Sequence, residues 1–143
     1  MKRSSDDRTS LTLRQLLLQR SDWFEDRVLQ AAPHFGYHYV TPAMHRLFAH
    51  MSSKPVSTSE LARRLAVSRQ AVHQTVGEAC RRGILTLVDD PLSARVRNVR
   101  FTENGVKMVR SASKAVQRIE SDLASRLGTR DLATLRRILS REW

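Results

Sequence analysis

Apolar residues recur at three- and four-residue steps from Leu11 to Ala32, at Leu13, Leu16, Leu17, Phe24, Val28 and Ala31. That spacing places them on one face of a helix and predicts a long amphipathic first helix, capped by Ser10 or Thr9. Pro33 and Gly36 predict its end and a linker from His34 to Thr41. A second helix follows, with Thr41 as cap, Pro42 at its first position and Leu47, Phe48 and Met51 as apolar face. Ser52 to Pro55 interrupt it, and Val56 suits a very short strand. Ser57 and Glu60 form a capping-box pattern that opens a third helix carrying Leu61, Ala62 and Leu65. Ala66-Val67 reads as a tight turn, and Ser68 caps a fourth helix that runs to about Arg82 and stops at Gly83.

The period then changes from helical to extended. Ile84 to Val88 and Val96 to Phe101 read as two strands joined by Asp89 to Arg95, with Pro91 in the turn. Thr102 caps a fifth helix with Val106, Val109, Val116, Ile119, Leu123 and Leu127 as its stripe. Gly128 ends it. Thr129 caps a last helix with Leu132, Leu135, Ile138 and Leu139 on one side, finishing at Trp143. The fold class expected is mainly α with a small β-hairpin wing. Residues 1–10 read as a flexible tail and 11–143 as a single domain.

Charge narrows the function. Twenty-five Lys and Arg against fourteen Asp and Glu give +11 over 143 residues. Such an excess attracts polyanions, of which nucleic acid is the commonest. Residues 54–102 alone hold nine basic and four acidic side chains. Two short helices, a tight turn and a basic hairpin together make a winged helix-turn-helix centred on residues 57–102. Val72 and Val76 face inward on the fourth helix, so Arg69, Gln70, His73 and Gln74 face outward near its N-terminus. These side chains reach base edges: Arg suits guanine and Gln suits adenine. Ser68 and the helix N-terminus suit a phosphate. Arg95 and Arg97 would arm the hairpin loop for the adjacent minor groove, with Arg100 farther along the strand.

Two short helices of this kind touch few base pairs, so two-fold pairing on a pseudo-palindrome is expected. The excess apolar surface at Leu11 to Leu18 and Leu132 to Trp143 supplies a face for it. Two readings stand beside sequence-specific regulation. One is a non-specific architectural DNA binder, against which Gln70, His73 and Gln74 count because phosphate binding would not need them. The other is a winged-helix protein-interaction module, against which the net charge counts.

Other chemistry is thin. His34, His38, His45 and His50 invite a metal reading, but Pro33 and Gly36 break the helix that would align the first pair, and no Cys or carboxylate cluster completes a site. Cys80 beside Arg81 and Arg82 has the charge of a redox thiol but no resolving Cys; a structural thiol fits better. No glycine-rich phosphate loop, nucleophile motif or paired carboxylate stands out, so neither an enzyme nor a cofactor is expected. No apolar run has the ~20 residues of a membrane span. Met1 to Ser10 lack a secretory apolar stretch, and one cysteine fits a reducing compartment, so a cytoplasmic protein is expected.

The sequence resembles the MarR (multiple antibiotic resistance regulator) family of bacterial transcription factors. The resemblance lies in Val40-Thr41-Pro42, Ser59-Glu60-Leu61-Ala62-Arg63-Arg64-Leu65 and Val67-Ser68-Arg69-Gln70-Ala71-Val72. It continues through Arg82-Gly83-Ile84-Leu85, Asp90-Pro91, Arg95 and Phe101-Thr102-Glu103-Asn104-Gly105. It implies a homodimeric repressor on double-stranded DNA, with a winged helix-turn-helix at about 41–102 and dimerisation helices at 11–32 and 103–143. It also implies a small-molecule effector pocket, for which the aromatic cluster Trp23, Phe24, Phe35, Tyr37 and Tyr39 is the candidate lining. Two positions depart from the family pattern. Ser93 stands where an Asp often orients the wing Arg, and Ala66 stands where the turn often has Gly, which matters if the backbone there needs a positive φ.

Overall fold

The computed structural model describes residues 11–143; the tail expected at 1–10, and with it the proposed caps Thr9 and Ser10, lie outside them. Six α-helices and three strands follow in the order α1 (Leu13–Ala31), α2 (Pro42–Ala49), β1 (Val56–Ser57), α3 (Thr58–Leu65), α4 (Arg69–Arg81), β2 (Leu85–Asp90), β3 (Ser93–Phe101), α5 (Glu103–Leu127) and α6 (Thr129–Leu139). The strands form one antiparallel sheet in the order β1-β3-β2. Val56 pairs with Val99, so the short strand ties the start of α3 to the wing.

Helix starts follow local chemistry. Thr12, rather than Ser10 or Thr9, caps α1: its hydroxyl accepts from the Gln15 N–H, and the Gln15 side chain accepts from the Thr12 N–H. This reciprocal box satisfies two donors that a lone cap would leave half open. Thr41, Ser57, Ser68 and Thr102 each cap the helix expected of them. Ser57 acts alone, however. Glu60 does not reach back to the cap; its carboxylate takes Arg63 and Arg64 at 2.7 Å each, and these two guanidinium groups hold its pKa down at about 2. Thr129 is the first residue of α6 and not its cap; that place falls to Gly128, at φ 91°. The helix closes at Leu139, short of Trp143.

Two boundaries moved because of backbone satisfaction, and one buried face turned. Pro33 does not stop the first helix outright. The chain tightens into a 3-10 helix at Ala32–Phe35, where a proline near the start loses no bond, and Gly36 at φ 83° ends it. The wing strands are longer and their loop shorter than expected. Asp90 accepts from the Leu92 N–H at 2.7 Å and from Asn98 Nδ2 at 3.0 Å, which closes the turn at Pro91-Leu92 and leaves Arg95 and Arg97 on β3 instead of in a loop. Those bonds also hold the Asp90 carboxyl below the usual range. Finally, α5 buries Gly105, Met108 and Ala115, while Val106 of the expected stripe is 42% exposed.

The core belongs to the winged helix-turn-helix. Met44, Leu47, Leu61, Val72, Val76, Ala79, Ile84, Leu85, Val99 and Met108 form one buried cluster. By contrast α1 buries only Val28 and α6 buries no residue at all. Leu13, Leu18, Leu135, Ile138 and Leu139 remain exposed, and Trp143 is 82% exposed. The first and last helices thus carry apolar surface that the other described residues do not cover. Among the described residues, no helix is long and apolar enough to cross a membrane.

The turn joining α3 to α4 contains a strained residue. Ala66 sits at φ 53°, the only non-glycine with positive φ among the described residues. A Cβ in that conformation costs about 1–2 kcal/mol, of which glycine's greater freedom in the unfolded chain takes back about 0.5–1 kcal/mol. Ala66→Gly should therefore stabilise the protein by about 0.5–1 kcal/mol in urea titrations, with the dependence on urea unchanged.

Candidate nucleic-acid interface

Three buried side chains on α4, Val72, Val76 and Ala79, fix how the helix sits on the core. That leaves Arg69, Gln70, His73 and Gln74 exposed on its outer face, in the first two turns. Ser68 is exposed too, but its hydroxyl is occupied as the cap, accepting from the Ala71 N–H at 3.1 Å. What the helix start offers an anion is therefore the N–H groups of Arg69 and Gln70 more than the Ser68 oxygen.

On β3 the side chains alternate between faces. Arg97 shares the face of Val99, which is buried, and so projects on the side of the hairpin that meets the helices, whereas Arg95 lies in the stretch where the pairing with β2 shifts register and alternation does not set its face. Arg100 takes the opposite face. Arg97 lies 3.7 Å from Asp89 across the hairpin, with both side chains largely in solvent, which makes a weak pair. Arg95 has no ion-pair partner among the described residues, consistent with Ser93 replacing an orienting carboxylate. Between the wing and α4 runs a cleft of about 460 Å³, with His73, Gly77 and Cys80 on one wall, Arg95 and Arg97 on the other, and Ser57 to Ser59 at its end. The structure thus brings His73, Arg95 and Arg97 to one place, with Arg69, Gln70 and Gln74 on the helix face beside it. From the sequence, Gly77, Thr58 and Ser59 carried no functional reading, and Ser57 only that of a cap. A glycine in mid-helix was the available signal.

A second cavity, of about 400 Å³, opens between α1, the 3-10 helix, α2 and α5. Its wall is almost wholly apolar, with Val28, Leu29, Phe48, Met108, Val109 and Val116 prominent. Of the aromatic cluster read from the sequence, Phe35 and Tyr37 line it; Trp23, Phe24 and Tyr39 do not. Trp23 packs edge-on against Phe24 under Arg27, and Tyr39 lies between Tyr37 and Arg82.

His45 is the one imidazole on that wall. Its Nδ1 is shielded and has no hydrogen-bond partner among the described residues, and burial pushes its pKa below 6.5, with Glu25 opposing in part. The ring is therefore neutral at pH 7. The unfolded chain takes up a proton that the folded one resists, so stability should fall as pH drops through about 6.5. Urea titrations at pH 7.5 and 5.5 should show this loss, and His45→Leu should reduce it. Elsewhere, no group of three His, Cys, Asp or Glu among the described residues is placed to hold a metal. Burial raises the Cys80 thiol, outweighing Arg81, which removes the electrostatic case for a reactive thiolate.

Comparison with known proteins agrees with this geometry. The model of the MarR family matches residues 40–95. No curated protein matches the chain. Among solved structures, the transcriptional repressor CouR bound to a 23-mer DNA duplex superposes with a TM-score of 0.76 at 20% identity, covering 98% of this chain and 97% of that one. Apo MarR from E. coli gives 0.74 at 18% identity over 90% and 95% of the two chains. RV1404 from Mycobacterium tuberculosis gives 0.68 at 18% identity over 98% and 92%. Residues 40–95 carry the MarR-family pattern, and the chain has the winged-helix fold of the MarR-family transcriptional regulators.

Proposed function

We propose that the protein is a sequence-specific DNA-binding regulator that acts as a homodimer. The observation that carries this reading is the outward face of α4. Arg69, Gln70, His73 and Gln74 are all exposed on a helix held rigidly by its buried side, beside a basic wing. A solvated face needs no such set, whereas base edges in the major groove match guanidinium and carboxamide groups. The net charge of +11 supplies the long-range attraction. CouR, of the same fold, is a repressor seen on a DNA duplex, which supports both the DNA and repression as the sign of regulation.

Dimerisation is supported by the uncovered apolar residues of α1 and α6. The cavity between α1, α2 and α5 suits a small, largely apolar effector, and its place between the terminal helices and the winged helix suits control of their relative position. The direct test is selection from random double-stranded DNA. The expected product is a pseudo-palindrome with two half-sites about one helical turn apart. Recovery of unrelated sequences at equal affinity would instead identify an architectural binder, and recovery of no DNA at all would leave only the interaction module.

A further inference from the structure

Among the described residues that line the cavity between α1, the 3-10 helix, α2 and α5, none is Asp, Glu, Lys or Arg. At about 400 Å³ the cavity is large enough to strip a small molecule of most of its water. A carboxylate, phosphate or ammonium group seated there would lose its hydration and meet no opposite charge, which is the costliest way to bury a polar atom. Arg46 of α2 and Glu25 of α1 do not line the cavity, and they pair with each other at 3.7 Å. The Glu25 carboxylate is felt at His45, where its sign would repel an anion further.

His45 adds an independent observation. It stands in a wall built mainly of hydrocarbon, where leucine would pack without leaving a nitrogen unpaired. Its Nδ1 is shielded and has no hydrogen-bond partner among the described residues. A neutral imidazole carries a proton on one nitrogen and a lone pair on the other. Buried N–H groups left without a partner are rarer than buried acceptors left without one. The lone pair therefore belongs on the shielded Nδ1 and the proton on Nε2, which is the nitrogen left for a molecule in the cavity to meet. Of the other polar side chains on the wall, the Ser113 hydroxyl already donates to the Val109 carbonyl at 2.9 Å, and Gln117 is exposed.

We propose that the cavity admits uncharged molecules only, mostly hydrocarbon with one hydrogen-bond acceptor such as a ketone, ester or amide carbonyl, and that His45 selects them by donating from Nε2. The proposal rests on the effector reading of this cavity and narrows it, because organic acids in their ionised form are shut out. Apolar packing supplies the affinity, and the one donor sets which end of the ligand points toward α2.

Three naphthalenes of nearly the same shape separate charge from polarity. They are 2-acetylnaphthalene, 2-isopropylnaphthalene and 2-naphthoate, whose carboxyl group is ionised at pH 7.5. Equilibrium dialysis at that pH against the full chain gives the affinity of each for the wild type and for His45→Leu. The wild type should bind the ketone about fivefold more tightly than the hydrocarbon, the worth of one hydrogen bond. It should bind naphthoate at least about 100-fold more weakly than the ketone. His45→Leu should bind ketone and hydrocarbon alike and still reject naphthoate. Two outcomes overturn the proposal while leaving an apolar effector site intact: naphthoate bound by the wild type as tightly as the ketone, and a ketone preference that survives in His45→Leu. The first needs no variant, so it decides the matter even if His45→Leu fails to fold. A wild-type protein that binds neither neutral compound overturns the effector reading first and the proposal with it.

Discussion

Gly105→Ala should destabilise the protein by about 1–3 kcal/mol or more, the range for forcing a group into filled space. A Cβ on Gly105 would stand 2.2 Å from the Ile84 carbonyl oxygen, 3.2 Å from its carbon and 3.0 Å from Phe101 Cδ1. The oxygen cannot yield cheaply, because it already accepts from the Thr102 N–H at 2.9 Å. Thr102 in turn donates its hydroxyl to Gly83 at 2.6 Å while accepting from the Gly105 N–H at 3.0 Å. This knot joins the end of α4, the wing and the start of α5. The glycine therefore acts as a close-contact residue between the winged-helix core and the long helix, not as a turn residue. Urea titration of the variant gives the loss directly, and a value near zero would mean that the α5 start is free to shift.

The largest effect on DNA binding should come from surface changes far from the DNA. Leu135 and Ile138 are 41% and 48% exposed in the protomer, so glutamate at both positions should leave the protomer fold nearly untouched. In a dimer these side chains would be buried, and paired glutamates there would carry an uncompensated desolvation cost. Leu135→Glu/Ile138→Glu should therefore sediment as a monomer. Operator affinity should fall by at least about 10²-fold, because one half-site no longer holds the second close to its target. A wild-type protein that sediments as a monomer at micromolar concentration would remove the basis of this prediction, and so would a dimeric double variant. Removal of residues 132–143 should have the same consequence if the face lies on α6.

What the sequence disclosed was what depends on nearest neighbours. Thr41, Ser57, Ser68 and Thr102 were each legible as caps because a cap needs only its own hydroxyl and an N–H three residues on. The inward placement of Val72 and Val76 followed from helical periodicity, and with it the exposure of Arg69, Gln70, His73 and Gln74. The strain at Ala66 was visible as a residue departing from the expected turn glycine.

Choices among competing partners were not legible. Glu60 had two suitors, the Ser57 N–H and the arginines at 63 and 64, and two cations outbid one amide. The wing loop was overestimated because Asp90 stabilises a tight turn through Asn98, eight residues away. The buried face of α5 was misplaced toward Val106, whereas packing selected Gly105 and Met108, which fit closely beside Ile84 and Phe101. The apolar cavity was least accessible of all. Four separate elements converge to make it, so Phe48, His45 and Met108 carried no common signal, while Trp23 and Phe24 carried a false one.

The claim on which the rest depends is that α4 reads bases. It is tested most directly by repeating the random-DNA selection with Gln70→Ala and with Gln74→Ala. Each side chain is exposed and without structural duty in the protomer, so neither change should alter stability by more than about 0.5 kcal/mol. Loss of a bidentate contact to adenine costs about 1–3 kcal/mol at one base pair. Each variant should then return a motif relaxed at one defined position in each half-site, the two symmetric about the operator dyad, with the remaining positions unchanged. If both variants return the wild-type motif, bound merely more weakly, the helix positions the protein without reading the sequence, and the account is contradicted.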